Sequence, residues 1–84
     1  VKTFWVLEPS PYKTDRSINA IIYKNVRQAQ QHKDRPLTRN EIANLIKKMK
    51  DKGLFQTKRD RWGLFNSFMA NMRQNKLVQE EKPA

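Results

Sequence analysis

Residues 38–41 read Thr-Arg-Asn-Glu, and no other short stretch narrows the fold of this chain so far. The Thr38 hydroxyl is placed to accept from the Glu41 backbone N–H, while the Glu41 carboxylate reaches back to the Thr38 N–H. This reciprocal capping box fixes the start of a helix. Behind it Ile42, Leu45, Ile46 and Met49 share one face, Arg39, Asn40, Lys47 and Lys48 lie on others, and Gly53 stands where a left-handed C-terminal cap belongs. Just ahead, Pro36 discourages the helical conformation of Arg35 and sets a turn.

The rest of the chain arranges itself around this helix. Residues 3–7 are β-branched and aromatic and run into the breaker cluster at 9–15, so they read as one short strand. Ser17 or Asp15 then caps a first helix in which Ile18, Ile21, Ile22, Val26 and Ala29 recur at helical spacing, ending near Lys33. After Gly53, Leu54 and Phe55 are two apolar anchors ahead of a basic loop. Asp60 opens a third helix that carries Trp62, Phe65, Phe68, Met69 and Met72 on a broad face and ends near Asn75. Residues 77–79 can extend as a strand, and the polar residues 80–84 are expected to be a disordered tail. With 84 residues and no cysteine, the chain has room for one packed core, over residues 1–79, and no disulfide or thiolate metal site to support it. Its longest apolar run, residues 4–7, is far too short for a membrane span, so a soluble, intracellular domain is expected.

Eighteen Lys and Arg against eight Asp and Glu leave a net charge of +10. A single-sign field of that size on so small a domain attracts polyanions, nucleic acid first among them. Much of it is concentrated: Lys47, Lys48, Lys50, Lys52, Lys58, Arg59 and Arg61 stand against Asp51 and Asp60 between positions 47 and 61. That cluster flanks the start of the third helix, whose free amides and partial positive charge would reinforce phosphate binding.

Residues 18–78, with a capped second helix, a connection and an aromatic-rich third helix followed by an extended segment, resemble the winged-helix branch of the helix-turn-helix family. The resemblance implies a mainly α domain of three helices with a small β element. Residues 36–46 would open the supporting helix, and residues 61–76 would form the helix that lies in the major groove. A second wing strand would have to come after Val78, where little chain follows. Either the wing is cut short or the strand at 3–7 pairs with 77–79 instead. On the third helix, Phe65, Phe68, Met69 and Met72 span one side with Trp62 and Leu64 at its margins, and Gly63, Asn66, Ser67, Ala70 and Gln74 lie opposite, flanked by Arg73.

The nucleic-acid-binding residues expected from charge, helix position and resemblance are Arg39, Asn40, Lys47, Lys48, Lys58, Arg59, Arg61, Asn66, Ser67, Arg73 and Gln74. The cations would contact phosphate and set register, and the amides of Asn66 and Gln74 suit bidentate pairing with adenine. Chemistry of other kinds finds no footing. His32 is the only histidine, the serines at 10, 17 and 67 lie beside no nucleophile elbow, and two glycines make no phosphate-cradling loop. The expectation is a non-enzymatic domain without cofactor, metal or small-molecule substrate. It would bind double-stranded DNA in transcriptional regulation or another DNA transaction. A protein-interaction module, including a homodimer, and an RNA binder are the alternatives; the first calls for an exposed apolar patch, the second for exposed Trp62 or Tyr23.

Overall fold

The computed structural model describes residues 2–81, in which three helices pack on one face of a small antiparallel sheet. The chain runs β1 (Thr3–Val6), α1 (Ile18–Lys33), β2 (Leu37–Thr38), α2 (Arg39–Asp51), α3 (Arg61–Gln74) and β3 (Val78–Glu81). Local chemistry sets the helix ends. Ser17, rather than Asp15, caps α1, its hydroxyl accepting from the Ala20 N–H at 3.1 Å. Both halves of the capping box form: the Glu41 N–H donates to the Thr38 hydroxyl at 3.1 Å, and the Thr38 N–H to the Glu41 carboxylate at 3.0 Å. At the other end of α2 the Gly53 N–H bonds the Lys50 carbonyl and the Leu54 N–H the Met49 carbonyl, a Schellman closure with Gly53 at φ 78°. The Asp60 carboxylate caps α3 by accepting from the Gly63 N–H at 2.8 Å.

The sheet order is β2-β1-β3, so the first strand in sequence is the central one. Thr3 lies opposite both Thr38 and Glu81, and Val6 opposite Val78. Of the two arrangements left open by the sequence, the pairing of N-terminal strand with C-terminal segment is the one that forms. Two differences follow. β3 continues through Glu80 and Glu81, where a disordered tail was expected from residue 80; backbone pairing with Phe4 and Thr3 carries it on without any apolar side chain. Residues 82–84 of that expected tail lie outside the described residues. β2 was not expected at all, being a two-residue extension that the conformation before α2 allows.

Strand alternation turns Phe4 and Val6 onto the helices, where they meet Ile22, Val26, Leu37, Ile42, Ile46, Met49, Phe65, Phe68, Met69 and Met72 in one core. Trp5 faces the other way, half-buried, its indole N–H donating to the Glu81 carboxylate at 2.9 Å. Of the two apolar residues after Gly53, Phe55 anchors the connection in the core, whereas Leu54 is left 48% exposed. The segment at 7–16 is tied down by tyrosines. The Tyr12 hydroxyl donates to Asn71 at 2.6 Å and the Tyr23 hydroxyl to the Leu7 carbonyl at 2.7 Å. Burial, with the neighbouring Tyr23 second, pushes the Tyr12 phenol up to about 12, so it stays a donor at any physiological pH. No helix among the described residues is long and apolar enough to cross a membrane.

Candidate nucleic-acid interface

Arg39 is the first residue of α2 and Arg61 the first of α3, and both side chains reach the Trp62 ring. The Arg39 guanidinium carbon sits 4.7 Å from the Trp62 ring centroid and that of Arg61 5.6 Å, both within the range of a cation–π contact. The indole is held from beneath. It meets Phe65 edge-on at 5.9 Å, and Phe65 meets Phe4 of β1 at 6.4 Å, so a chain of rings fixes the plate to the core. Arg61 also donates to the Asn44 side-chain carbonyl of α2 at 3.1 Å, and the Lys50 ammonium to the Arg59 carbonyl at 2.8 Å. These bonds stitch the nine-residue connection, 52–60, to the helix before it. Lys47, Lys50, Asp51, Asp60, Arg61 and Trp62 line an open cleft of about 320 Å³ along this seam.

Three of the eight carboxylates, Glu8, Glu41 and Glu80, are held in ion pairs with cations outside the basic cluster. Among the described residues the ion pairs join Lys2 and Arg73 to Glu80, Arg27 to Glu8, and Lys33 and Arg35 to Glu41. None of Arg39, Lys47, Lys48, Lys50, Lys52, Lys58, Arg59 and Arg61 has such a partner among them. Asp51 and Asp60 line the junction cleft with Lys47, Lys50 and Arg61, so the more numerous cations there are only partly offset within the domain. No protein family, characterised protein or solved structure matches this chain.

The residues expected from the sequence fall into three places. Arg39, Lys47, Arg59 and Arg61 gather at the seam or the loop beside it, with Lys58 exposed in that loop. Asn66, Arg73 and Gln74 are exposed on the free side of α3 with Ala70; Arg73 is in part engaged, donating to Glu80 at 2.8 Å. Asn40 is exposed on the first turn of α2, next to Lys2 and Phe4. Two members separate from the rest. Lys48, with Lys52, lies on the other side of α2 in a groove against α1 that includes His32 and Leu54, because four residues on from 48 returns to the same face and away from α3. Ser67 is half-buried in a cleft with Tyr12, Asn19, Thr57 and Arg59, facing the start of α1.

Two contributors and one contact were not legible in advance. Trp62 fits the apolar period of α3 and so reads as core, yet it is only half-buried and bears two guanidinium groups. Asn44 looks like an ordinary solvent-facing position of α2, and Lys50, a member of the basic cluster, gives no sign in the sequence of its bond to the Arg59 carbonyl. The one usable signal was the repeat of Arg at the first position of two helices, an unfavourable place for a cation beside the positive pole of each.

Proposed function

We propose that the chain is a winged-helix-like, non-enzymatic DNA-binding domain that grips the phosphate backbone of a duplex with the α2–α3 junction and presents α3 to the major groove. The observation that carries the reading is the cluster of cations without ion pairs around that junction, next to the exposed Asn66, Ala70 and Gln74 side of α3. Three helices on a three-stranded sheet are in keeping with a winged-helix-like plan, with β1 supplying the strand that a wing hairpin would otherwise bring after Val78. Phosphate contacts would come from Arg39, Lys47, Lys58, Arg59 and Arg61, and base contacts from Asn66 and Gln74.

The rival readings find less support. Leu54 is the one large hydrophobic exposed among the described residues, so they offer a protein partner no broad apolar patch. Stacking on RNA bases would call for open rings; Tyr23 is buried, and Trp62, half-buried, has Arg39 and Arg61 drawn to its ring. Fluorescence anisotropy on a labelled random duplex, its single strand and a matched RNA, at several salt concentrations, tests the proposal. If about six phosphates are contacted, log affinity falls with log salt at a slope near −5. Changing Lys58, Arg59 and Arg61 together to Ala is expected to flatten that slope by about 2.7, three contacts' worth. Salt-independent binding, or none, would sink the reading.

A further inference from the structure

Arg39 combines features that a merely solvated arginine does not. It is exposed and, among the described residues, has neither an ion pair nor a hydrogen-bond acceptor for its guanidinium, yet that group is held over an indole at 4.7 Å. A guanidinium drawn to a ring by cation–π attraction keeps its N–H donors for other partners. Arg61 is held against the same ring and spends one nitrogen on Asn44, keeping the remainder of its fork. Both sit at helix N-termini, where the macrodipole works against a cation. The nearby acids relieve this only in part: Asp51 and Asp60 line the cleft beside Arg61, with Asp60 also accepting from the Gly63 N–H, and Glu41 is engaged by Arg35, Lys33 and the Thr38 N–H. Two like charges drawn onto one ring at two helix N-termini, neither of them in an ion pair among the described residues, form an arrangement that an anion would stabilise. Its lock-and-release cost is low, because the ring has already restricted the long side chains before any ligand arrives.

We propose that Trp62 is a positioning residue that holds Arg39 and Arg61 as two fixed guanidinium forks for phosphodiester groups of a DNA backbone. The assignment rests on the duplex-binding reading and gives the ring a role other than core filling or base stacking. It also separates planar recognition from charge: Lys at position 39 keeps the charge and loses the fork, and Leu at position 62 removes the plate without touching any charge.

The test is a duplex titration across salt concentrations with the whole chain and its Arg39→Lys, Trp62→Phe and Trp62→Leu variants, with thermal unfolding recorded for each. Arg39→Lys, at an exposed position, is expected to fold as the parent does and to bind about tenfold more weakly. Trp62→Leu is expected to make the salt slope shallower by about 0.9 for each phosphate released, up to about 1.8 for both arginines, although no charge is lost. Trp62→Phe, which keeps a ring, should recover part of that slope. Steep duplex binding that is indifferent to Arg39→Lys and Trp62→Leu overturns the proposal and leaves the duplex reading standing. Preference of the parent for single strands that Trp62→Leu abolishes overturns it too, since the ring would then be the platform itself. Absence of salt-steep binding in the parent overturns both.

Discussion

Val6 sits on an edge of β1 that the two-residue β2 does not reach, and Gln30 of α1 supplies what a longer strand would have given. Its side-chain carbonyl accepts from the Val6 N–H at 2.6 Å and its amide donates to the Val6 carbonyl at 3.0 Å, while Arg27 donates to the same carbonyl at 2.8 Å. One buried side chain thereby imitates a residue of sheet. In the sequence Gln30 belongs to a run of glutamines that reads as solvated surface, because periodicity registers apolar positions and has no means of marking a polar side chain that is needed inside. Gln30→Leu would fill the space but orphan the Val6 N–H, and is expected to cost about 1–3 kcal/mol in chemical denaturation. Gln30→Glu should do no better, since it sets a second oxygen against the Val6 carbonyl. Gly53 is the opposite case, a residue whose role is visible from spacing alone. Nothing lies within 4 Å of where its Cβ would be, so Gly53→Ala isolates the backbone cost of φ 78°, expected at about 1 kcal/mol by the same measurement.

Among the elements, α2 is the most completely specified, and its N-terminus also carries the clearest pH dependence. The Arg35 guanidinium grips the Glu41 carboxylate with bonds of 2.9 and 2.6 Å, and the Thr38 N–H and Lys33 add to it. Together, Arg35 foremost, they hold Glu41 well below the usual carboxylate range. A carboxyl whose folded pKa is depressed contributes stability in full above its unfolded value, about 4.3, and loses it as the pH falls through the folded value. Unfolding midpoints should therefore drop as the solution is acidified below about pH 4–5. Glu41→Gln keeps the hydrogen-bonded box but not the ion pairs. It is expected to cost about 1 kcal/mol or less at neutral pH, the partners being solvent-exposed, and to narrow its gap from the parent as the pH approaches 2. An equal gap at pH 7 and pH 2 would mean that the charge contributes nothing. The helices were readable because caps and apolar spacing are local. The sides of α2 were read less well: Lys48 joined the basic cluster by proximity in sequence, yet one residue is a 100° turn and places it against α1 while Lys47 faces α3.

At the level of the whole molecule, the first and last strands meet, and this decides how the proposed interface is held. The ring chain from Trp62 through Phe65 ends on Phe4, so the plate under the two arginines rests on a strand brought from the far end of the sequence. Pairing of strands separated by more than seventy residues leaves little trace in composition or periodicity, which is why the sequence reading stopped at two alternatives for the partner of residues 77–79. The arrangement has a thermodynamic corollary. β2 and β3 do not touch each other and pair only through β1, so removal of residues 1–7 deletes the whole sheet rather than one strand of it. It also strips Phe4 and Val6 from the core and leaves Ile22, Tyr23, Val26 and Phe65 facing solvent on that side. Fully burying two such side chains contributes about 3–6 kcal/mol, comparable with the whole stability of a domain this small. The truncated chain is expected to lose cooperative thermal unfolding by circular dichroism, retain only residual helix, and bind duplex weakly through charge alone, whereas Trp5→Thr on the outer face of β1 should change the midpoint far less. A truncated chain that melted cooperatively near the parent midpoint would show that the three helices carry the fold without the sheet, and the central placing of β1 would then be incidental to the interface.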